Sequence, residues 1–175
     1  MAAQRKADFT AHFTGPVYGV GLLFIFFPIL DTIAQVWPPS VGSPSWRYGI
    51  IGIGANYLIS VMFGLLLVGL MASIQWHRRV LRWLAIAAGV LAVLAVIASI
   101  GFVLDVLQLR PGLPRDNPIT LRMFDIGAEK ALFKYLVAVV AFAWLGFSAW
   151  RAARAIPAPA VEDDAPKLVK EQKGA

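Results

Sequence analysis

Cysteine is absent from the 175 residues, and histidine occurs only twice. The first absence excludes disulfides, thiolate metal sites, iron–sulfur clusters and cysteine nucleophiles, and it leaves the compartment unreadable from redox chemistry. Charge is scarce as well, at 15% of residues, where soluble domains carry about 25%. No H-E-x-x-H, G-x-S-x-G, G-x-x-x-x-G-K-[ST] or glycine-rich nucleotide fingerprint occurs. What fills the chain instead is apolar: 59% of residues are hydrophobic. One soluble core cannot hide that much apolar surface, so the excess points to lipid.

Four apolar runs define candidate spans. Phe9 to Leu30, Tyr48 to Trp76 and Trp83 to Leu104 carry no Asp, Glu, Lys or Arg, and Ala131 to Trp150 is broken only by Lys134. A helix needs about 20 residues to cross roughly 30 Å of hydrocarbon. Runs this long exclude a transmembrane barrel, whose strands alternate over about 10 residues. The expected fold is therefore an all-α integral membrane protein, with four transmembrane helices in an antiparallel bundle. Expected spans cover residues 15–36, 48–75, 83–107 and 131–151, after a cytoplasmic N-terminus, 1–14. Arg5 and Lys6 precede the first span, and Thr32-Ile33-Ala34 has the form of a cleavage site. The length of the run and the three spans that follow favour an uncleaved helix.

Basic residues set the expected orientation. His77, Arg78, Arg79 and Arg82 crowd the short link between the second and third spans, which marks it as cytoplasmic. With four spans, both termini lie on the same side, in the inner membrane of a bacterium. Ten of the sixteen basic residues then fall there. The net charge of +6 reflects these flanks. Basic tail residues are interspersed with Glu and Asp, so nucleic acid is not an expected partner. The expected partners are the bilayer and other membrane subunits, or a second copy. Trp37 and Trp46 belong at the outer interface, and Trp76, Trp83 and Trp150 at the inner one.

The connections differ in kind. Residues 37–46 are rich in proline and serine and cannot form a long helix. Asn117-Pro118 is a helix-start signal, and Ile119, Leu121, Met123, Phe124 and Ile126 after it give an amphipathic helix over about 118–130 that runs into the fourth span. Residues 156–175 turn to proline, alanine and charge, the composition of a disordered cytoplasmic tail.

Small residues form the clearest pattern. Ala85, Ala88, Ala92, Ala95 and Ser99 recur at spacings of 3 and 4 on one face of the third span. Ala138 and Ala141 belong to a counterpart on the fourth. In lipid, close backbone approach and van der Waals contact hold helices together, so these faces are expected to oppose each other. On the second span, Asn56 and Ser60 give a polar face, read either as a packing seam or as the lining of a solute path. Gly15-x-x-x-Gly19 is a weak packing motif on the first span. Asp105 ends the third span and Lys134 begins the fourth, which suggests an ion pair at the outer boundary, with snorkelling of Lys134 as the plainer reading. His12 and His77 sit at charged flanks, where interfacial solvation outweighs haem ligation.

Asp31, Trp37-Pro38-Pro39, Pro44 and Trp46, with Gly64-Leu65 in the following span, resemble small bacterial membrane proteins of the HpsJ (hormogonium polysaccharide secretion) type. That resemblance, confined to the first half of the chain, implies an inner-membrane accessory protein without a known catalytic residue. No catalytic residue, cofactor or metal site is expected. The expected role is a non-enzymatic accessory, assembly or structural subunit of a membrane complex. A small oligomeric transporter or channel, with its path along the Asn56/Ser60 face, is the alternative.

Overall fold

The computed structural model describes residues 2–114 and 117–156, with the side chains of the first helix described from residue 13 onward. Four long helices follow one another: α1 (Ala2–Val36), α2 (Pro44–Ile74), α3 (Arg78–Leu109) and α4 (Pro118–Ala155). A single 3-10 turn, Arg110–Gly112, follows α3. All four helices are long and apolar enough to cross a membrane. The chain is thus an all-α, multi-pass membrane bundle, and among the described residues it has no strand. The tail beyond residue 156, with Lys167, Lys170 and Lys173, lies outside the described residues, as do the side chains of Arg5, Lys6 and His12.

Each helix outruns its apolar stretch. At about 1.5 Å per residue, α4 is roughly 57 Å long, well over the hydrocarbon thickness. Residues 118–130 are the first turns of α4 itself, so the expected amphipathic helix is continuous with the span. α2 starts at Pro44, inside the segment whose proline and serine suggest irregular chain. Proline at a first helical position loses no intrahelical bond, and Ser43 accepts from the Trp46 N–H at 3.4 Å. The same device opens α4, where Asn117 accepts from Thr120 N–H at 3.2 Å.

The turn between α2 and α3 is unusual for its residue. His77 N–H bonds the Ala72 carbonyl at 2.9 Å and Trp76 N–H bonds Ser73 at 3.4 Å, the paired bonds of a Schellman ending. The left-handed position, normally glycine, is Trp76 at φ 57°. Its ring is exposed beside Arg78 and Arg79, at what is here termed the arginine end of the bundle. The opposite end carries Trp46.

α2 is the hub, packing on α1, α3 and α4, while the α3–α4 interface is the most extensive. Along that interface Ala85, Ala88 and Ala95 of α3 are buried, Ala88 completely, and Ala92 and Ser99 lie half-buried at its margin. From α4 come Ala138, Phe142, Leu145 and Ala149, with Ala141 half-buried. A Cβ on Gly146 would stand 3.3 Å from the Ala85 carbonyl, so the backbones nearly touch there. Phe102 and Phe142 fill the remaining space, each 1% exposed.

α1 is attached differently. It packs almost wholly on α2, and only 11% of its apolar window is buried. Its closest approach joins Gly21 to Gly64, where a Cβ on Gly64 would fall 2.6 Å from the Gly21 carbonyl oxygen. Gly15 and Gly19, by contrast, have nothing among the described residues within 4 Å of where a Cβ would stand, so that motif is not a close crossing point like Gly21–Gly64. Pro28 lies inside α1 and cannot donate to the Phe24 carbonyl. Ser60 of α2 supplies the missing donor, its hydroxyl 3.2 Å from Phe24 O.

Ala88→Leu should lower stability in detergent melting by about 1–3 kcal/mol, because the added side chain forces two backbones apart. Val93→Leu, on the exposed face of the same helix, should melt as the parent does. Equal tolerance at both positions would show that the alanine face is not a packing face.

Candidate functional site

Polar side chains gather toward the Trp46 end, in three groups. The deepest in protein is Asp105, 3% exposed on α3. Arg47, in the first turns of α2, meets it edge-on: Nη2 donates to Oδ1 at 2.6 Å, and Nε lies 3.0 and 3.2 Å from the two oxygens. The remaining nitrogen, Nη1, donates to the Val41 carbonyl at 2.8 Å. One guanidinium therefore joins α2, α3 and the α1–α2 connection. A planar, forked donor suits this task, since it satisfies a carboxylate at two points. Beside it, Tyr48 is stacked on both faces, by Phe102 of α3 and Phe124 of α4, each with centroids 5.0 Å away.

The second group ties α1 to α2. Tyr57 donates its hydroxyl to Asp31, and Gln35 donates to the same carboxylate at 2.8 Å. Trp46 caps α1, its indole N–H 3.0 Å from the Val36 carbonyl. In the third group, between α2 and α4, Lys134 Nζ donates to Asn56 Oδ1 at 2.6 Å. Nearby, Tyr135 donates to the Ile51 carbonyl at 2.9 Å. At the rim, Arg110 pairs with Asp125 at 3.0 Å.

Two sequence expectations need correction. Asp105 does not pair with Lys134. With Ala85 meeting Gly146, the α3–α4 register puts Asp105 opposite residues near 126. Lys134 is then about eight residues, or ~12 Å, further along α4. Each ion finds a partner on α2 instead, Arg47 for Asp105 and Asn56 for Lys134. Asn56 and Ser60 also turn to different helices within the chain rather than sharing one face toward a single neighbour. Asn56 turns to α4, while Ser60 turns to α1 and satisfies the carbonyl that Pro28 frees.

Sequence reasoning also missed Arg47 and Tyr57. Arg47 reads as one of the basic residues on the outer side, and nothing local marks its partner 58 positions away. Pro28, however, signals a free carbonyl four residues earlier, and that signal points to a donor on a neighbouring helix. His77 lies at the arginine end, with its Nδ1 2.9 Å from the Tyr18 hydroxyl. Among the described residues no cluster of His, Asp and Glu has the makings of a metal site.

The pairing can be tested by double-mutant cycles on detergent melting. Arg47→Gln and Asp105→Asn should couple by about 1.5–3 kcal/mol, the range for hydrogen bonds to charged groups. Asp105→Asn and Lys134→Met should be additive. Coupling of the second pair, and none of the first, would reverse the assignment. Compared with protein-family models, with curated proteins and with solved structures, the chain matches none.

Proposed function

We propose that the chain is a non-enzymatic accessory or structural subunit of a membrane complex, seated in a bacterial inner membrane with both ends of the bundle's chain in the cytoplasm. The observation that supports this is the content of the bundle's centre. Between α2, α3 and α4 it holds Val61, Leu65, Leu84, Ala88 and Phe142, and among the described residues the buried charged side chain is Asp105, toward one end. None of those apolar residues carries a proton, ligates an ion or attacks a substrate. The charged groups toward the Trp46 end include Arg47 and Asp105, spent on each other.

A solute path within one chain loses its support with the divergence of Asn56 and Ser60. A subunit role draws further support from α1. A helix with 11% of its apolar window buried offers nearly its whole circumference to its surroundings. Leu23 and Phe27 on it are each 66% exposed. Orientation rests on Arg78, Arg79 and Arg82 at the tight α2–α3 turn, since short basic loops stay on the cytoplasmic side.

Photo-crosslinking residues at Leu23 and Phe27 in the full-length chain in cells should yield one discrete protein adduct of constant mass. The same probe at Val140, also exposed, serves as reference. Purification as a homo-oligomer that carries solute flux in proteoliposomes, without such an adduct, would overturn the subunit reading. For orientation, a reporter fused after Arg154 should work only if it is a cytoplasmic reporter. Activity of a periplasmic reporter at that site would invert the topology.

A further inference from the structure

Two lysines on α4, Lys130 and Lys134, stand apart from the ion pairing around them. Arg47 and Arg110 are each matched by a carboxylate. Among the described residues, neither lysine forms an ion pair, and the bond from Lys134 goes to a neutral amide. Both line a cavity of about 310 Å³ between α2, α3 and α4. Tyr48, Gly52 and Asn56 share that lining, and no carboxylate does. Glu129, next in sequence to Lys130, faces the other side of α4, in the hollow lined by Val106 and Asp125. The cavity is therefore a positively charged recess.

Lys134 also belongs to a second feature. A groove of about 130 Å³ runs on between α2 and α4, walled by Leu58, Ile59, Met62, Phe133 and Val137. Apart from the lysine, this groove is wholly apolar. It leads from the recess toward the arginine end. A cationic recess that opens into an apolar channel, with one lysine at the junction, has the form of an anionic head joined to a hydrocarbon tail.

Depth agrees with this form. Trp150, beside Arg151, marks the interface at the arginine end. Lys130 is 20 residues earlier on the same helix, or ~30 Å, which is the thickness of the hydrocarbon. Lys134 then lies ~6 Å inside the opposite boundary, where a phosphate ester meets its acyl chains. A soluble anion would gain nothing from the apolar groove, and a zwitterionic headgroup would bring a further cation up to the two ammonium groups.

We infer that the recess at Lys130 and Lys134, with the adjoining α2–α4 groove, is a binding site for an anionic phospholipid in the leaflet at the Trp46 end. The two ammonium groups and the Asn56 side chain hold the phosphate, and one acyl chain lies along Leu58, Met62 and Val137.

Native mass spectrometry of the full chain in non-ionic detergent tests this, with phosphatidylglycerol and phosphatidylcholine of matched chains as probes. Phosphatidylglycerol should be retained preferentially, with each lysine contributing roughly fivefold. Lys130→Gln with Lys134→Gln should abolish the preference. Because loss of Lys134 also removes its bond to Asn56, a second variant is needed. A Cβ at Gly52 meets nothing within 4 Å and Gly52 lines the recess, so the side chain of Gly52→Leu starts in open space there. It should reduce phosphatidylglycerol retention and leave the melting temperature unchanged. Arg79→Gln, at the arginine end, should leave retention as it was. Equal retention of the two lipids would overturn the proposal. So would a preference that survives the lysine and Gly52 variants but falls with Arg79→Gln, which would move the site to the other leaflet. Displacement of the lipid by millimolar inorganic phosphate would assign the recess to a soluble anion instead.

Discussion

The register of the bundle hangs on the contact between Arg47 and Asp105. A carboxylate that is 3% exposed needs a close, well-oriented cation. Arg47 provides that at 2.6 Å and spends its remaining nitrogen on the Val41 carbonyl. Helices in lipid have little hydrophobic drive to associate, and one alanine on a small face is much like the next. A slip of α3 by one turn would therefore cost the alanine interface little. It would, however, leave Asp105 buried without its partner, which is expensive. With α3 fixed on α2, Phe102 is brought over one face of Tyr48, and Phe124 of α4 covers the other. One ion pair thus sets the level of α3 directly and supports that of α4 through an aromatic stack.

α1 obeys a different logic. Only α2 receives it to any extent, through the Gly21–Gly64 crossing, and its polar contacts are local repairs. Ser60 satisfies a carbonyl that Pro28 cannot, Trp46 caps the last turn, and Tyr57 with Gln35 holds Asp31. Each repair answers a polar group that would otherwise face hydrocarbon unsatisfied. Such contacts fix where α1 sits without burying it. The bundle is best described as a three-helix core, α2 to α4, with a fourth helix leaning on the hub.

The sequence makes some of this legible and hides the rest for physical reasons. Four apolar runs require four helices, because no other element can bury its backbone in lipid at that length. The small stripe on α3 is visible because its period is that of the helix itself. Helix ends are less visible, since α2 and α4 project past the hydrocarbon, where apolarity no longer reports on them. Their starts are written in Ser43-Pro44 and Asn117-Pro118, and the first is easily lost inside a proline-rich stretch. Partners across the bundle are the least visible. Asp105 and Lys134 look like neighbours because each lies beside the same loop, yet the extension of α4 by more than three turns before Lys134 separates their levels. Only the register decides which polar groups meet, and the register is itself a product of those meetings.

Lysine at position 134 is the residue that packing explains least. If its task were only to bond the Asn56 carbonyl oxygen, a neutral amide donor would do the same with a far smaller desolvation cost. Snorkelling alone would send the ammonium outward into water, but it is held 2.6 Å from Asn56 at the edge of a recess. Lys130, one turn earlier, lines the same recess, so the two cations are concentrated where their mutual repulsion is unfavourable. A fold that matches Asp105 with Arg47 and Asp125 with Arg110 has the means to neutralise charge at this end. Leaving two ammonium groups together, one turn apart and unmatched by any carboxylate among the described residues, is a cost that folding alone does not require, and an anion drawn from outside the chain offsets it.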